Sequence, residues 1–322
     1  MKKFTLAAVA ALAVSAMPAF AADMPAKAAR LAVPPPPPAW DLAFGSAIAS
    51  DYVWRGITQS NHKPSVAAYF EPRYNINKDL QLYAGIGGAS ISFPNRAAAE
   101  VDFYAGFRPT VGKFSFDFGV WYYWYPGGQC FNAAVPSDGC AANGSLPVNG
   151  NVAKTDWSFY EIYGKMNYAV TDAFGVGAFV YYSPNVLNTG ADGIFFGGNA
   201  KYTFAAFGPG ITPYISGEIG YWDLGTSDVF YGTTSFPNGT PYASYATWSL
   251  GIGWTWKVFT LDLRYTDTDL SKGDCNAFTS DHTAVQTGHV TSINPGGFGS
   301  NWCGARFTAR LSADLTVNTN LK

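Results

Sequence analysis

The chain has 322 residues, of which 48% are hydrophobic, 17% aromatic and only 13% charged, with 20 Lys+Arg against 22 Asp+Glu and a net charge of −2. An ordinary soluble domain is about a quarter charged, so this composition excludes a disordered chain, a coiled coil and a basic nucleic-acid binder. A mean hydropathy that balances to zero argues against a helical membrane bundle.

The N-terminus carries Lys2 and Lys3, an apolar run from Phe4 to Phe20, and the small-residue triplet Ala19-Phe20-Ala21. Those are the three parts of a secretory signal peptide, so residues 1–21 are expected to be removed on export. Residues 22–39 are Ala-rich and end in five prolines, Pro34 to Pro38. Lacking amide donors and favouring polyproline II, they are expected to form a stiff periplasmic spacer.

From residue 40 onward no run of 18 apolar residues occurs, and the recurrent signal is alternation with period two, the mark of strands with unlike faces. In the segment 40–55, Trp40, Leu42, Phe44, Ile48, Tyr52 and Trp54 share one face, while Asp41, Ala43, Gly45, Ala47, Ala49, Asp51 and Arg55 share the other. The whole segment is therefore expected to be one strand, with Tyr52 and Trp54 at a lipid interface. Similar patterns cover 100–108, 114–124, 247–256, 259–266 and 305–315, and less regular ones cover 67–76, 80–93, 157–170, 173–183, 193–203 and 211–223. About twelve strands result, most near the nine to eleven residues of a tilted membrane-spanning strand. Gly and Ala stud the polar faces, which suits an enclosed lumen better than open water.

The connections alternate strictly. Tight turns are expected at 77–79, 111–113, 171–172, 206–210 and 257–258, with long loops near 56–66, 94–99, 126–154, 184–192, 224–244 and 268–302. Short turns on one side and long loops on the other are how outer-membrane barrels are strung. The predicted fold is all-β, a transmembrane antiparallel up-and-down barrel of about twelve strands over 40–322, with a short C-terminal tail.

Four cysteines, Cys130, Cys140, Cys275 and Cys303, fall in or beside the two longest loops. In an exported protein they read as disulfides, and Cys130–Cys140 with Cys275–Cys303 is the simplest of three pairings. No C-x-x-C occurs, so neither a metal site nor a cofactor is expected. His62, His282 and His289 all lie in predicted loops, without the acid and nucleophile spacing that would point to an enzyme. Glycine clusters at 85–88 and 296–299 open no helix and do not read as phosphate loops.

Ionisable residues on the predicted inward faces are the candidate pore-lining set. The acids are Asp51, Glu71, Glu100, Asp102, Asp117, Glu161, Glu218, Asp262 and Asp314; the bases are Arg55, Arg73, Arg108, Lys165, Lys201, Arg264, Arg306 and Arg310. Two arrangements compete: pairing across the lumen that helps plug it, or opposed clusters that set up a transverse field for polar solutes.

The string Asp51-Tyr52-Val53-Trp54-Arg55-Gly56-Ile57-Thr58-Gln59-Ser60 resembles the motif near the mature N-terminus of the TorF porin family. The signal peptide and the turn after Tyr74-Asn75-Ile76 look similar as well. The resemblance implies an outer-membrane β-barrel with pore activity. One departure is the C-terminus, Asn320-Leu321-Lys322, where outer-membrane barrels commonly end in an aromatic. The resulting expectation is a passive channel for small hydrophilic solutes in the bacterial outer membrane, with lipid as its surroundings and no nucleic-acid partner. The alternative is a plugged barrel with a structural or surface-interaction role.

Overall fold

The computed structural model describes residues 38–131 and 151–321. The signal peptide, nearly all of the proline-rich segment and Cys140 lie outside the described residues, so the domain boundaries at 21 and 39 and the Cys130–Cys140 pairing stay expectations. Among the described residues no helix is long and apolar enough to cross a membrane.

The strands are β1 (Trp40–Ala49), β2 (Val53–Trp54), β3 (Ile57–Thr58), β4 (Ser65–Asn77), β5 (Leu80–Ala89), β6 (Glu100–Val111), β7 (Phe114–Trp124), β8 (Phe159–Ala169), β9 (Phe174–Ser183), β10 (Gly193–Thr203), β11 (Thr212–Leu224), β12 (Tyr245–Trp256), β13 (Phe259–Thr268), β14 (Val285–Gln286), β15 (Phe298–Gly299) and β16 (Arg306–Thr316). A helix α1 (Lys272–Thr279) follows β13, and a short turn of helix, α2 (Val317–Asn320), ends the chain. Twelve of these strands, all but β2, β3, β14 and β15, close into an antiparallel barrel. Consecutive strands are neighbours throughout, and β16 returns to β1 with Phe44 opposite Leu315 and Ala49 opposite Arg310. Closure pairs every edge and leaves no exposed ladder.

The alternation decides which residues face out. On β12, Trp248, Leu250, Ile252 and Trp256 point away from the lumen and stay 37–46% exposed. Phe103, Phe107, Phe118, Ile162, Ile194 and Leu261 do the same on other strands. The result is an apolar belt around the barrel, far larger than the patches of a few hundred Å² that soluble monomers expose. The five short turns gather at one end, where Trp40 and Thr316 also lie. The long connections gather at the other.

The first strand ends six residues sooner than its alternation suggests. Ten residues at about 3.3 Å each already suffice for a tilted spanning strand. After Ala49 the chain turns, and β2 pairs with β3 in a two-stranded hairpin, Val53 opposite Thr58 and Trp54 opposite Ile57. Arg55 and Gly56 form its turn with φ of 48° and 80°. A Cβ at Gly56 would run into the side chains of Thr247 and Thr268, so conformation and space both demand glycine there. Contrary to the sequence expectation, Tyr52 and Trp54 therefore do not face outward. The hairpin folds into the barrel.

Candidate functional site

The inward hairpin carries one buried charge. Arg55 reaches Glu161 on β8 with two parallel bonds, Nη1 to Oε1 and Nη2 to Oε2, each 2.8 Å, and the two side chains are 4% and 1% exposed. Tyr123 donates to the same carboxylate at 3.2 Å. The guanidinium lies 4.3 Å from the Trp54 ring, 4.4 Å from Phe195 and 4.5 Å from Trp222. A cation so enclosed has lost its water, and the bidentate carboxylate together with the ring faces replaces it. Tyr245 fixes the backbone by donating to the Arg55 carbonyl at 2.9 Å.

Trp54 wedges edge-on against Trp222, ring centres 5.0 Å apart, and also meets Tyr123 and Phe159. Above it the long connections close over. Phe93 packs on Tyr125 and Trp157, while Phe278 of α1 packs on Trp222 and Tyr242. Together these residues make a continuous apolar core inside the long-loop end of the barrel. The Cys275–Cys303 disulfide, with Cα atoms 6.0 Å apart, ties α1 to the segment leading into β16. Cys130 is disulfide-bonded as well.

The flanks of the motif are held by carboxylates. Tyr52 donates to Glu100 Oε1 at 2.6 Å and Tyr125 to its Oε2 at 2.9 Å. Asp102 lies next along the inward face of β6, itself buried. Asp51 accepts from the Thr58 and Ser60 hydroxyls and from Arg306 Nη1, the last at 3.4 Å. The polar residues of the motif thus fasten the hairpin to itself and to the wall.

Toward the short-turn end, charges pair along the walls rather than across the lumen. Arg73 and Arg108 both bond Glu71, at 2.6 and 2.8 Å, and Arg108 also approaches Asp117 at 3.5 Å. On the opposite wall Arg264 bonds Asp262 at 2.9 Å, and Tyr214 donates to the same carboxylate at 2.7 Å. Asp314 accepts from Tyr69 at 3.2 Å. Each of these two clusters is paired within its own stretch of wall. Lys165, Lys201, Glu218 and Arg310 face inward with no ion pair among the described residues. Every one of the seventeen candidate side chains lies on an inward strand face or in the inward segment. The sequence reading missed the inward aromatics Tyr181, Phe195, Trp222 and Tyr245. Their signal was present: strands over 173–183, 193–203 and 211–223 alternate poorly because their loop ends are aromatic on both faces.

His282 sits in the loop cap, its ring 5.4 Å from Trp302 and its Nε2 3.4 Å from the Ser92 hydroxyl. Among the described residues its Nδ1 has no hydrogen-bond partner. Burial, with the charges of Arg96 and Lys63 against that of Asp281, pushes its pKa from 6.5 down to about 4. The folded cap then binds fewer protons than the opened one between those values, so its stability falls as pH drops from 6.5 and is fully reduced below about 4. Hydrogen exchange across residues 281–303 is expected to quicken at pH 4.5 relative to pH 7.5, and His282→Gln to remove most of that difference.

No curated protein matches the chain. Among solved structures, the KdgM porin is 12% identical over 85% of this chain and 98% of that one, with a TM-score of 0.40. LpxR from Salmonella typhimurium is 9% identical over 85% and 99%, TM-score 0.41. An outer membrane channel from Pseudomonas putida F1 is 8% identical over 87% and 96%, TM-score 0.41. A family model spans most of the barrel, from residue 36 to 294, and by that match the chain belongs to Gcw_chp, a bacterial protein family of unknown function.

Proposed function

We propose that this protein is a porin-like barrel of the bacterial outer membrane whose lumen, in the state described, is shut at the outer end by its own first loop. The apolar belt supports the membrane setting, because only lipid covers such a belt on every side. Short turns then lie in the periplasm and the capped loops outside. The observation that carries the reading is the Trp54–Arg55 hairpin seated on Glu161 within the barrel. A solute enters by diffusion once that hairpin leaves, through a lumen lined by both paired and unpaired charges. The role is that of a passive channel rather than an enzyme. The string at 51–60 supports kinship with TorF porins within this reading, and gives the motif its reason: it is the plug.

Single-channel recording in a planar bilayer tests this. The wild-type protein is expected to stay mostly closed with brief openings, and a Trp54→Gly/Arg55→Ser variant to give long-lived ohmic steps. If that variant folds, as shown by heat-modifiable migration, yet never conducts, the channel reading fails. The cap of disulfide-tied loops would then stand as a surface for partners.

A further inference from the structure

The seat of Arg55 belongs to the barrel wall rather than to the hairpin. Glu161 stands on β8, and three of the rings over which the guanidinium lies come from Tyr181 on β9, Phe195 on β10 and Trp222 on β11. These rings hold one another in place. Phe195 stacks on Phe179 with ring centres 5.3 Å apart and meets Trp222 edge-on at 6.1 Å, while Tyr181 packs on Tyr163 at 5.4 Å. A Cβ on Gly220 of β11 would strike the Phe195 ring, so the bare backbone there gives that ring its room. The seat is built without the hairpin, and Arg55 is its occupant.

Vacated, the seat has a specific need. Glu161 is 1% exposed and would keep Tyr123 as its donor, and a buried carboxylate without its cation is costly. Its two oxygens meet the two arms of one guanidinium, each at 2.8 Å, with ring faces around them. An ammonium is a compact point charge that holds its water tightly, whereas a guanidinium is flat, forked and weakly hydrated. The present occupant is also under strain, because Arg55 has φ of 48°, in the left-handed region.

We propose that this seat is a receptor for small solutes bearing a guanidinium group, and that Arg55 fills it as a built-in competitor. The proposal rests on the channel reading above and names both the solute class and what keeps the plug out. During a brief opening such a solute pairs with Glu161, and the hairpin loses the ion pair that would draw it back. Tethered to β1, Arg55 competes at an effective concentration of millimolar order, so opening responds to solute in that range.

Equilibrium dialysis of the folded full chain in detergent against labelled methylguanidinium tests the seat without reference to conduction. The variant used is Arg55→Gly, whose glycine suits the positive φ and empties the seat. It is expected to bind methylguanidinium, and the added Glu161→Gln to weaken binding by about tenfold, the scale of one charge-assisted hydrogen bond. Methylammonium, of equal charge but without the fork, should compete about tenfold less well. In planar bilayers methylguanidinium should lengthen the openings of the wild type, where it displaces Arg55. It should shorten those of Arg55→Gly, where it fills the gap left under the hairpin. No binding by Arg55→Gly, or binding undiminished by Glu161→Gln, overturns the seat. Should Arg55→Gly fail to fold, wild-type openings unmoved by methylguanidinium overturn it. Equal competition by methylammonium overturns the preference for guanidinium. A channel that conducts while Arg55→Gly binds nothing sinks the receptor alone. Binding by a barrel that conducts in no variant sinks the channel reading and leaves the seat standing.

Discussion

Replacing Arg55 with methionine is expected to open the outer mouth while leaving the barrel folded. Removing one partner of a buried ion pair costs about 3–5 kcal/mol, because the other charge stays desolvated. Here that orphan would be Glu161, 1% exposed and left with Tyr123 as its remaining donor. The cost falls on the hairpin. It is joined to the wall through Arg55, Trp54 and Tyr52, whereas the twelve-stranded ladder does not depend on it. Withdrawal of the hairpin relieves the penalty by letting water reach Glu161. Single-channel records of Arg55→Met should therefore show long openings that are rare in the wild type. Glu161→Gln should act in the same direction, and a double Arg55→Met/Glu161→Met variant should be less open than either, since no buried charge remains. Equal closed times in Arg55→Met and wild type would show that the ion pair does not hold the plug.

Ile252→Arg carries the second large effect. Ile252 points outward near the middle of β12, is 44% exposed, and is flanked in register by Ile215 and Leu263, both outward and apolar. An arginine on the lipid face at the midplane of a membrane barrel costs about 2–4 kcal/mol, falling toward zero at the interfaces. Urea unfolding in lipid vesicles should show a loss of that size. Val290→Arg, in the long-loop region and 65% exposed, should show none. On a water-facing surface the two substitutions would be equally harmless, so matching midpoints would remove the protein from the membrane.

The barrel was legible in the sequence because its two environments are so different. Wherever one face meets the lumen's small and charged residues and the other meets the apolar exterior, as along 114–124 or 259–266, period two is unmistakable. The plug was not, and for the same reason. Trp54 alternates correctly with Val53 and Arg55, so periodicity continued the strand through a turn. Length held the correction: ten residues from Trp40 already span, and six more had nowhere to go. Gly56 marked a turn but was read as the start of the first loop rather than the tip of a hairpin within it. The inward aromatics on β9 to β11 were taken for irregular strands because periodicity scores a face as apolar or polar, and a lumen packed around an indole is neither. The Cys275–Cys303 bridge was the simplest of three pairings the sequence left open, while the Arg55–Glu161 pair joins residues 106 positions apart and nothing local names the partner.

The closing seam between β1 and β16 joins residues more than 250 positions apart in sequence. The hairpin that fills the lumen follows directly on β1, so it emerges near the start of the chain, while Glu161, Trp222 and Tyr245 arrive much later. A stopper is thus made before the bottle. Until the last strand docks, Arg55 and Trp54 have no enclosure to occupy, and pairing over such a sequence distance is slow. On the channel reading, the hairpin can seat only after the strands bearing Glu161, Trp222 and Tyr245 are in place.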